Sequence, residues 1–148
     1  MAVATSNKAT YQAMKSKLEK MAGGRGSVFI GEPLSKVASG NIAIVPERGS
    51  VDAATLQSPR DVHIVTLRRY ENPFQQPNDE LEFKLDQWRA QVEQDYFGDF
   101  ELGGTMAYAE ATQFAWEYGY ITVDQNVRFR VLDITFAFRT DDRATFVA

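Results

Sequence analysis

FAWEYGYITVDQNVRFRVLDITFAF, residues 114–138, decides the fold, because apolar and polar side chains alternate along it with the period of a β-strand. Asp124-Gln125-Asn126 interrupts the alternation and has the composition of a three-residue hairpin turn, in which Asn126 tolerates a left-handed backbone. Residues at equal distances from Gln125 then face each other, and this pairing predicts a long β-hairpin. The apolar facing pairs are Val123 with Val127, Ile121 with Phe129, Tyr118 with Leu132, Trp116 with Ile134, and Phe114 with Phe136.

The apolar face of this hairpin changes sides near Gly119 on one strand and Val131 on the other, because the apolar positions change parity there. The base of the hairpin is expected to pack into the domain core through Phe114, Trp116, Tyr118, Leu132, Ile134 and Phe136. The outer half presents its apolar residues to the opposite side, where either another subunit covers them or twist and a bulge at Gly119 return them to the chain's own core. We favour the first interpretation, which predicts a subunit interface formed by Ile121, Val123, Val127, Phe129, Arg128 and Arg130.

Upstream, apolar residues recur at helical spacing from about Lys8 to Ala22, and Gly23-Gly24 would end that helix. Strands are predicted at 28–30 and at 42–45, the second ending at Pro46 because proline cannot donate to an interior ladder. Residues 47–60 show no period and are predicted to form a long loop.

The stretch DVHIVTLRRY, residues 61–70, is rich in branched residues and is predicted to form a strand in the middle of a sheet. Asn78 is a good cap for a helix over 81–97, whose apolar stripe would pack on that sheet as the crossover between two strands. The chain is therefore predicted to be one α+β domain, residues 1–148. It would contain a mixed four- to five-stranded sheet, two main helices packed on it and the long C-terminal hairpin.

The composition argues against most catalytic and metal chemistry. The chain has no cysteine and one histidine, His63, which lies in a predicted strand. No G-x-S-x-G motif is present, and the glycines at 23–26 lack the GK[ST] ending of a phosphate loop. Asp79, Glu80 and Glu82 are best explained as acids that complement a helix N-terminus. We therefore predict no catalytic, cofactor-binding or metal-binding residues.

Charge and hydropathy limit the partners. A formal net charge of −4 lacks the basic footprint of a sequence-specific nucleic-acid binder. No apolar run exceeds four residues, which is too short for a membrane span or a signal peptide, so we expect a cytoplasmic site of synthesis and no membrane partner. Arg128 and Arg130 are local basic exceptions, for which pairing with acids of another subunit, such as Glu80 or Glu82, is the favoured explanation.

The order of these elements resembles that of the tail-terminator, or tail-completion, proteins of long-tailed bacteriophages. The resemblance covers nearly the whole chain, from the helix at 8–22 through IAIVPERGS and DVHIVTLRRY to LEFKLDQWRAQVEQDYF and the NVRFRVLDITFAFR ending. The resemblance lies in the order of the elements and in their residue patterns, not in an invariant motif, and it transfers no active-site residue.

The resemblance implies a non-enzymatic virion protein at the junction of tail and neck. Copies would form a ring, typically a hexamer, that caps the tail tube, ends its polymerisation and presents a surface to the head-side connector, with DNA passing through the hole. On this analogy the predicted loop would face the lumen or a neighbouring ring through Glu47, Arg48, Asp52 and Arg60. Three alternatives stay open: a neck or head-completion connector, a small binding domain that uses a groove beside the hairpin, and an enzyme that uses carboxylates only.

Overall fold

The computed structural model describes residues 8–21, 28–31, 37–52, 60–74, 78–97, 107–123 and 127–141. Within these residues, five strands form a single mixed sheet with the order β1-β2-β3-β5-β4, and the chain also forms two helices. This architecture confirms the predicted α+β class. The predicted stop at Gly23-Gly24 and the turn at 124–126 lie outside the described residues. In chain order the elements are α1 Lys8–Met21, β1 Val28–Ile30, β2 Ile42–Asp52, β3 Arg60–Glu71, α2 Asn78–Phe97, β4 Ala107–Val123 and β5 Val127–Asp141.

Strand β3 occupies the centre of the sheet, as its run of branched residues predicts. It pairs antiparallel with β2 on one side and with β5 on the other. Because β5 also pairs antiparallel with β4, strands β3 and β4 run parallel and α2 is the crossover between them. The hairpin partner β5 is inserted between the two strands that α2 connects.

Both helices pack on one face of the sheet, which we call the helix-covered face. Helix α2 buries the predicted stripe of Leu81, Leu85, Trp88 and Val92, and α1 buries Met14 and Leu18. These side chains meet alternate residues of the strands, so the main core has a period of two on the sheet side and about 3.6 on the helix side. On the sheet side its buried members are Val28, Ile42, Ile44, Val65, Leu67, Leu132, Ile134, Phe136 and Phe138.

Strand β2 does not end at Pro46, so the predicted strand end is wrong, and so is the predicted loop at 47–52 and at residue 60. Pro46 pairs with Val65 and Arg48 pairs with Ile64, which leaves Glu47 as the extra residue of a β-bulge. Bulges accommodate proline, and among the described residues β1 pairs with β2 only at 42–44, so no described strand lies beside β2 on that side at Pro46. Strands β2 and β3 therefore continue to the pair Asp52–Arg60, and only residues 53–59 between them lie outside the described part.

The β4–β5 hairpin has the predicted register over its outer two-thirds. Pairs from Val123–Val127 back to Ala115–Thr135 are symmetric about Gln125. Between Ala115 and Glu110 the register shifts, so that Glu110 pairs with Ala137 rather than with residue 140. Phe114 still packs beside Phe136, with ring centroids 6.5 Å apart, although it stands at the irregularity.

Candidate assembly surfaces

The outer half of the hairpin carries a second apolar cluster on the face opposite the helices, which confirms the predicted change of sides. Phe129 and Val131 are buried there against Tyr70, whose ring meets that of Phe129 edge-on at 6.0 Å. Much of the cover comes from the chain itself, because Ala43 and the partly buried Val37 and Val45 belong to the same cluster. We call this group the outer cluster.

The residues predicted to form a subunit interface therefore differ in accessibility. Phe129 retains 4% exposure and is anchored within its own chain, whereas Val127 is 48% exposed. Ile121 and Val123 are partly buried at the rim of the outer cluster. An apolar surface thus remains at the end of the hairpin, but it is smaller than the sequence alternation alone suggested.

Arg130 and Arg128 lie on the helix-covered side of the hairpin. Arg130 donates from Nε and Nη2 to the two carboxylate oxygens of Glu82 at 2.9 and 3.1 Å, and from Nη1 to the carbonyl of Gly119 at 3.3 Å. The prediction that Arg130 pairs with an acid such as Glu82 is therefore confirmed, but the pair forms within one chain and not between subunits. It does so because α2 lies over this part of β5. Arg128 instead stacks over the ring of Tyr120 at 4.4 Å and is exposed.

A row of aromatic side chains along β4 alternates with these arginines, and sequence analysis missed it. Trp116 lies beneath Arg89 of α2 at 4.4 Å, and Arg130 lies over Tyr118 at 5.4 Å and Tyr120 at 4.7 Å. Trp116 is 45% exposed and lies at the margin of the core, not inside it as predicted, because β4 is an edge strand. Burial, followed by the charge of Asp86, raises the pKa of Tyr118. The aromatic residues at the even-numbered positions from 114 to 120 form the sequence pattern from which this row could have been predicted.

A groove of about 400 Å³ lies on the sheet face opposite the helices. Glu47 and Arg48, which were predicted to lie in a loop facing a lumen, lie in strand β2 at its bulge and line this groove. Asp52 and Arg60, the other two members of that prediction, pair with each other in the ladder at the far end of β2 and β3. The remaining lining residues are Ile64, Thr66, Ala115, Trp116, Glu117, Asp133 and Thr135.

The floor of the groove is a polar band across three strands. Arg68 donates to both oxygens of Asp133 at 2.8 and 3.0 Å, and the hydroxyls of Thr66 and Thr135 are 3.0 Å apart. The hydrogen bonds to the Asp133 carboxylate raise the pKa of Arg68. Glu117, directly opposite Asp133 on β4, adds a second acid to the same row.

A buried carboxylate holds three segments together at the end of β3. Glu71 has no exposed surface and accepts a hydrogen bond from the hydroxyl of Ser39 at 2.6 Å and from Nε of Arg69 at 3.0 Å. Lys84 of α2 lies 3.6 Å from the same carboxylate. Gly40, with a φ of 89°, makes the turn that lets its N–H reach the Tyr70 carbonyl at 2.7 Å. The network fixes residues 37–41, and with them Val37, against the outer cluster.

The groups considered for catalysis or metal binding make contacts within the chain. His63 lies in β3 with its ring stacked on Phe138 at 4.9 Å. Asp79 accepts a hydrogen bond from the backbone N–H of Glu80 in the first turn of α2, and Glu82 is the partner of Arg130. Within the ranges that the structure describes, no group of three or more His, Cys, Asp or Glu residues could hold a metal ion. No described helix is long and apolar enough to cross a membrane.

Comparison with known proteins finds likeness among solved structures only at low sequence identity. No family model matches the chain, and no curated protein matches its sequence. Among solved structures, the chain is similar to a component of the virion of a native gene transfer agent particle, with a TM-score of 0.47 and 14% sequence identity. The match covers 89% of this chain and 91% of that one.

Proposed function

We propose that this protein is a structural component of a phage-like virion, which assembles as a ring on the end of the tail tube. The ring ends polymerisation of the tube and provides the surface to which the head-side connector joins, while DNA passes through its hole. The tail-tube protein and the connector are its partners, and the junction of tail and neck is its location. No enzymatic step is part of this role.

The observation that carries the proposal is the exposure of large apolar side chains on the β4–β5 hairpin. Trp116, Tyr120 and Val127 are each about half exposed, on a hairpin whose interior residues are buried. Exposed apolar side chains that recur along one element fit a protein that works by contact with other subunits. The described order of helices and strands, which is the order expected from the tail-terminator resemblance, supports the same role.

The test is removal of the gene from the genome that encodes the chain, followed by electron microscopy of the particles. We expect tails that exceed the normal length or fail to join heads, and restoration of both by the wild-type gene. Complementation with Val127→Asp should fail, whereas the exposed Ser50→Ala on β2 should complement. Normal tails joined to heads in the absence of the protein would refute the proposal. Tubes of normal length without heads would instead favour a neck or head-completion connector.

A second candidate function, a binding module, is favoured by the groove on the open sheet face. Its floor of paired threonines and an Arg–Asp pair, with Glu47 and Glu117 at the sides, is suited to a polar peptide with basic side chains. Such a module would act as a monomer. Native mass spectrometry together with the deletion phenotype distinguishes it from a ring component.

A further inference from the structure

The two helices carry opposite charges and lie over opposite halves of the sheet. Helix α1 has four lysines and one glutamate, whereas α2 has six acidic residues and two basic ones. Helix α1 contacts β1 and β2, and α2 contacts β4 at the other side of the sheet. One side of the helix layer is therefore basic and the opposite side acidic, although the chain as a whole is only mildly acidic.

The same two sides are linked by one row of apolar side chains across all five strands. In the ladder, Ile30 pairs with Ile44, Ile44 with Leu67, Leu67 with Ile134, and Ile134 with Trp116. The three interior members have no exposed surface, whereas Ile30 is 46% and Trp116 is 45% exposed. The row thus ends at each sheet edge in a large, half-covered apolar side chain on the helix-covered face.

We propose that the α2–β4 edge of one copy docks against the α1–β1 edge of a second copy. In this contact the Trp116 end of the row meets the Ile30 end of the next, and the acidic side of α2 faces the lysines of α1. The occupant is a second copy because this chain carries both the acidic and the basic surface, at the same level of the sheet. The inference rests on the proposed ring, since a contact between two different surfaces repeats from copy to copy and closes when its rotation permits.

The charges that would face each other can be named from the packing of each helix. On α2, Arg89 lies over Trp116 and is shared by Asp86 and Glu93 at 3.0 and 2.9 Å, which leaves a net negative charge beside Trp116. On α1, Tyr11 contacts Phe138 of β5 and so marks the inner side of the helix. Lys17 and Lys20 lie on the opposite side of the helix, toward β1.

Charge-swapped variants test this contact. The triple variant Asp86→Lys/Arg89→Glu/Glu93→Lys keeps the spacing of the intrahelical pairs but reverses their net charge, and Lys17→Glu/Lys20→Glu reverses the α1 side. We expect each variant alone to weaken self-association, measured by analytical ultracentrifugation, by about tenfold or more. An equimolar mixture of the two variants should recover assembly, because each then offers the charge that the other lacks. Higher salt should weaken the wild-type assembly.

Matched controls carry the same change in charge at other positions. Glu80→Lys lies on the side of α2 that faces Lys84, away from β4, and Lys8→Glu/Lys15→Glu lies on the inner side of α1. Both should associate like the wild type, and circular dichroism should show that every variant is folded. Equal weakening by a control and its test variant, or a mixture that stays dissociated, would overturn the proposed contact.

Carbodiimide cross-linking of mixed ¹⁴N- and ¹⁵N-labelled chains gives a readout that does not require a stable ring. The reagent joins an amine to a carboxylate only when the two are in contact, so we expect mixed-label amides between Lys17 or Lys20 and Asp86 or Glu93. Their absence would refute the inference. Rings that persist in all charge variants would refute this contact and leave the proposed function standing. Confirmed cross-links together with normal virions after gene removal would refute only the proposed function.

Discussion

Replacement of Glu71 tests whether the buried carboxylate holds the end of β3, the segment 37–41 and α2 together. The Glu71→Ala substitution removes the acceptor of Ser39 and Arg69 and leaves the Arg69 guanidinium, with only 15% side-chain exposure, without its acid. Loss of one partner from a buried ion pair costs about 3–5 kcal/mol. Glu71→Gln keeps the shape and one acceptor oxygen, so it should cost about 1–3 kcal/mol, the range of one charged hydrogen bond.

Urea denaturation followed by tryptophan fluorescence measures both free energies of unfolding, and the order wild type, Gln, Ala is the expected result. The thermal midpoint should fall by roughly 10 °C in Glu71→Ala, given a shift of about 2–4 °C per kcal/mol for a chain of this size. The exposed Glu80→Gln is the control and should change stability by less than about 0.5 kcal/mol. A Glu71→Ala protein as stable as this control would show that the network contributes nothing, and additivity with Ser39→Ala would show that the two residues are not coupled.

Three further predictions follow from burial and charge. Val127→Asp should fold with nearly wild-type thermal stability, because the Val127 side chain is half exposed. Phe129→Asp should not fold, because the substitution buries a charge in the outer cluster. Circular dichroism melts of the two variants check both expectations. Burial raises the pKa of Tyr11, so its contribution to stability is present below about pH 10 and lost as the pH rises further; Tyr11→Phe should show a smaller fall in melting temperature over that range. Asp133→Asn should lower the urea midpoint by the equivalent of about 1 kcal/mol with an unchanged slope, because the pair with Arg68 is bidentate but partly exposed. An unaltered midpoint in Asp133→Asn, or a folded Phe129→Asp, would contradict these assignments.

The hairpin could be predicted to the residue because two independent constraints agree along it. Alternation fixes which face each side chain takes, and the requirement for apolar cross-strand pairs fixes the register about Gln125. The prediction fails only past Ala115, where the register shifts before Glu110 and local pairing no longer follows from the turn. The helix stripe of α2 was equally readable because all four of its apolar positions face the sheet.

The errors arose where tertiary context overrides a local rule. Proline normally stops a central strand, but Pro46 lies at a bulge on a stretch of β2 that has no second neighbouring strand among the described residues, and pairing with β3 continues past it. The outer cluster that buries Phe129 is covered partly by Val37, and no sequence pattern links Val37 to Phe129, which lies about ninety residues further along the chain. The pairing of Arg130 with an acid such as Glu82 was predicted, but the sequence carries no information on whether such a pair forms within a chain or between chains.

The two faces of the sheet differ in where they leave apolar side chains exposed. The helix-covered face contains the main core, and its apolar row ends at each edge in a half-exposed side chain, so the proposed contact between copies would extend the main core. On the opposite face the described residues form a groove whose lining is mostly polar and an outer cluster that the chain largely covers itself. It follows that contacts between copies should form at the edges, where burial of Ile30 and Trp116 adds to a core that already exists. Such contacts at the edges would leave the groove on the opposite face accessible.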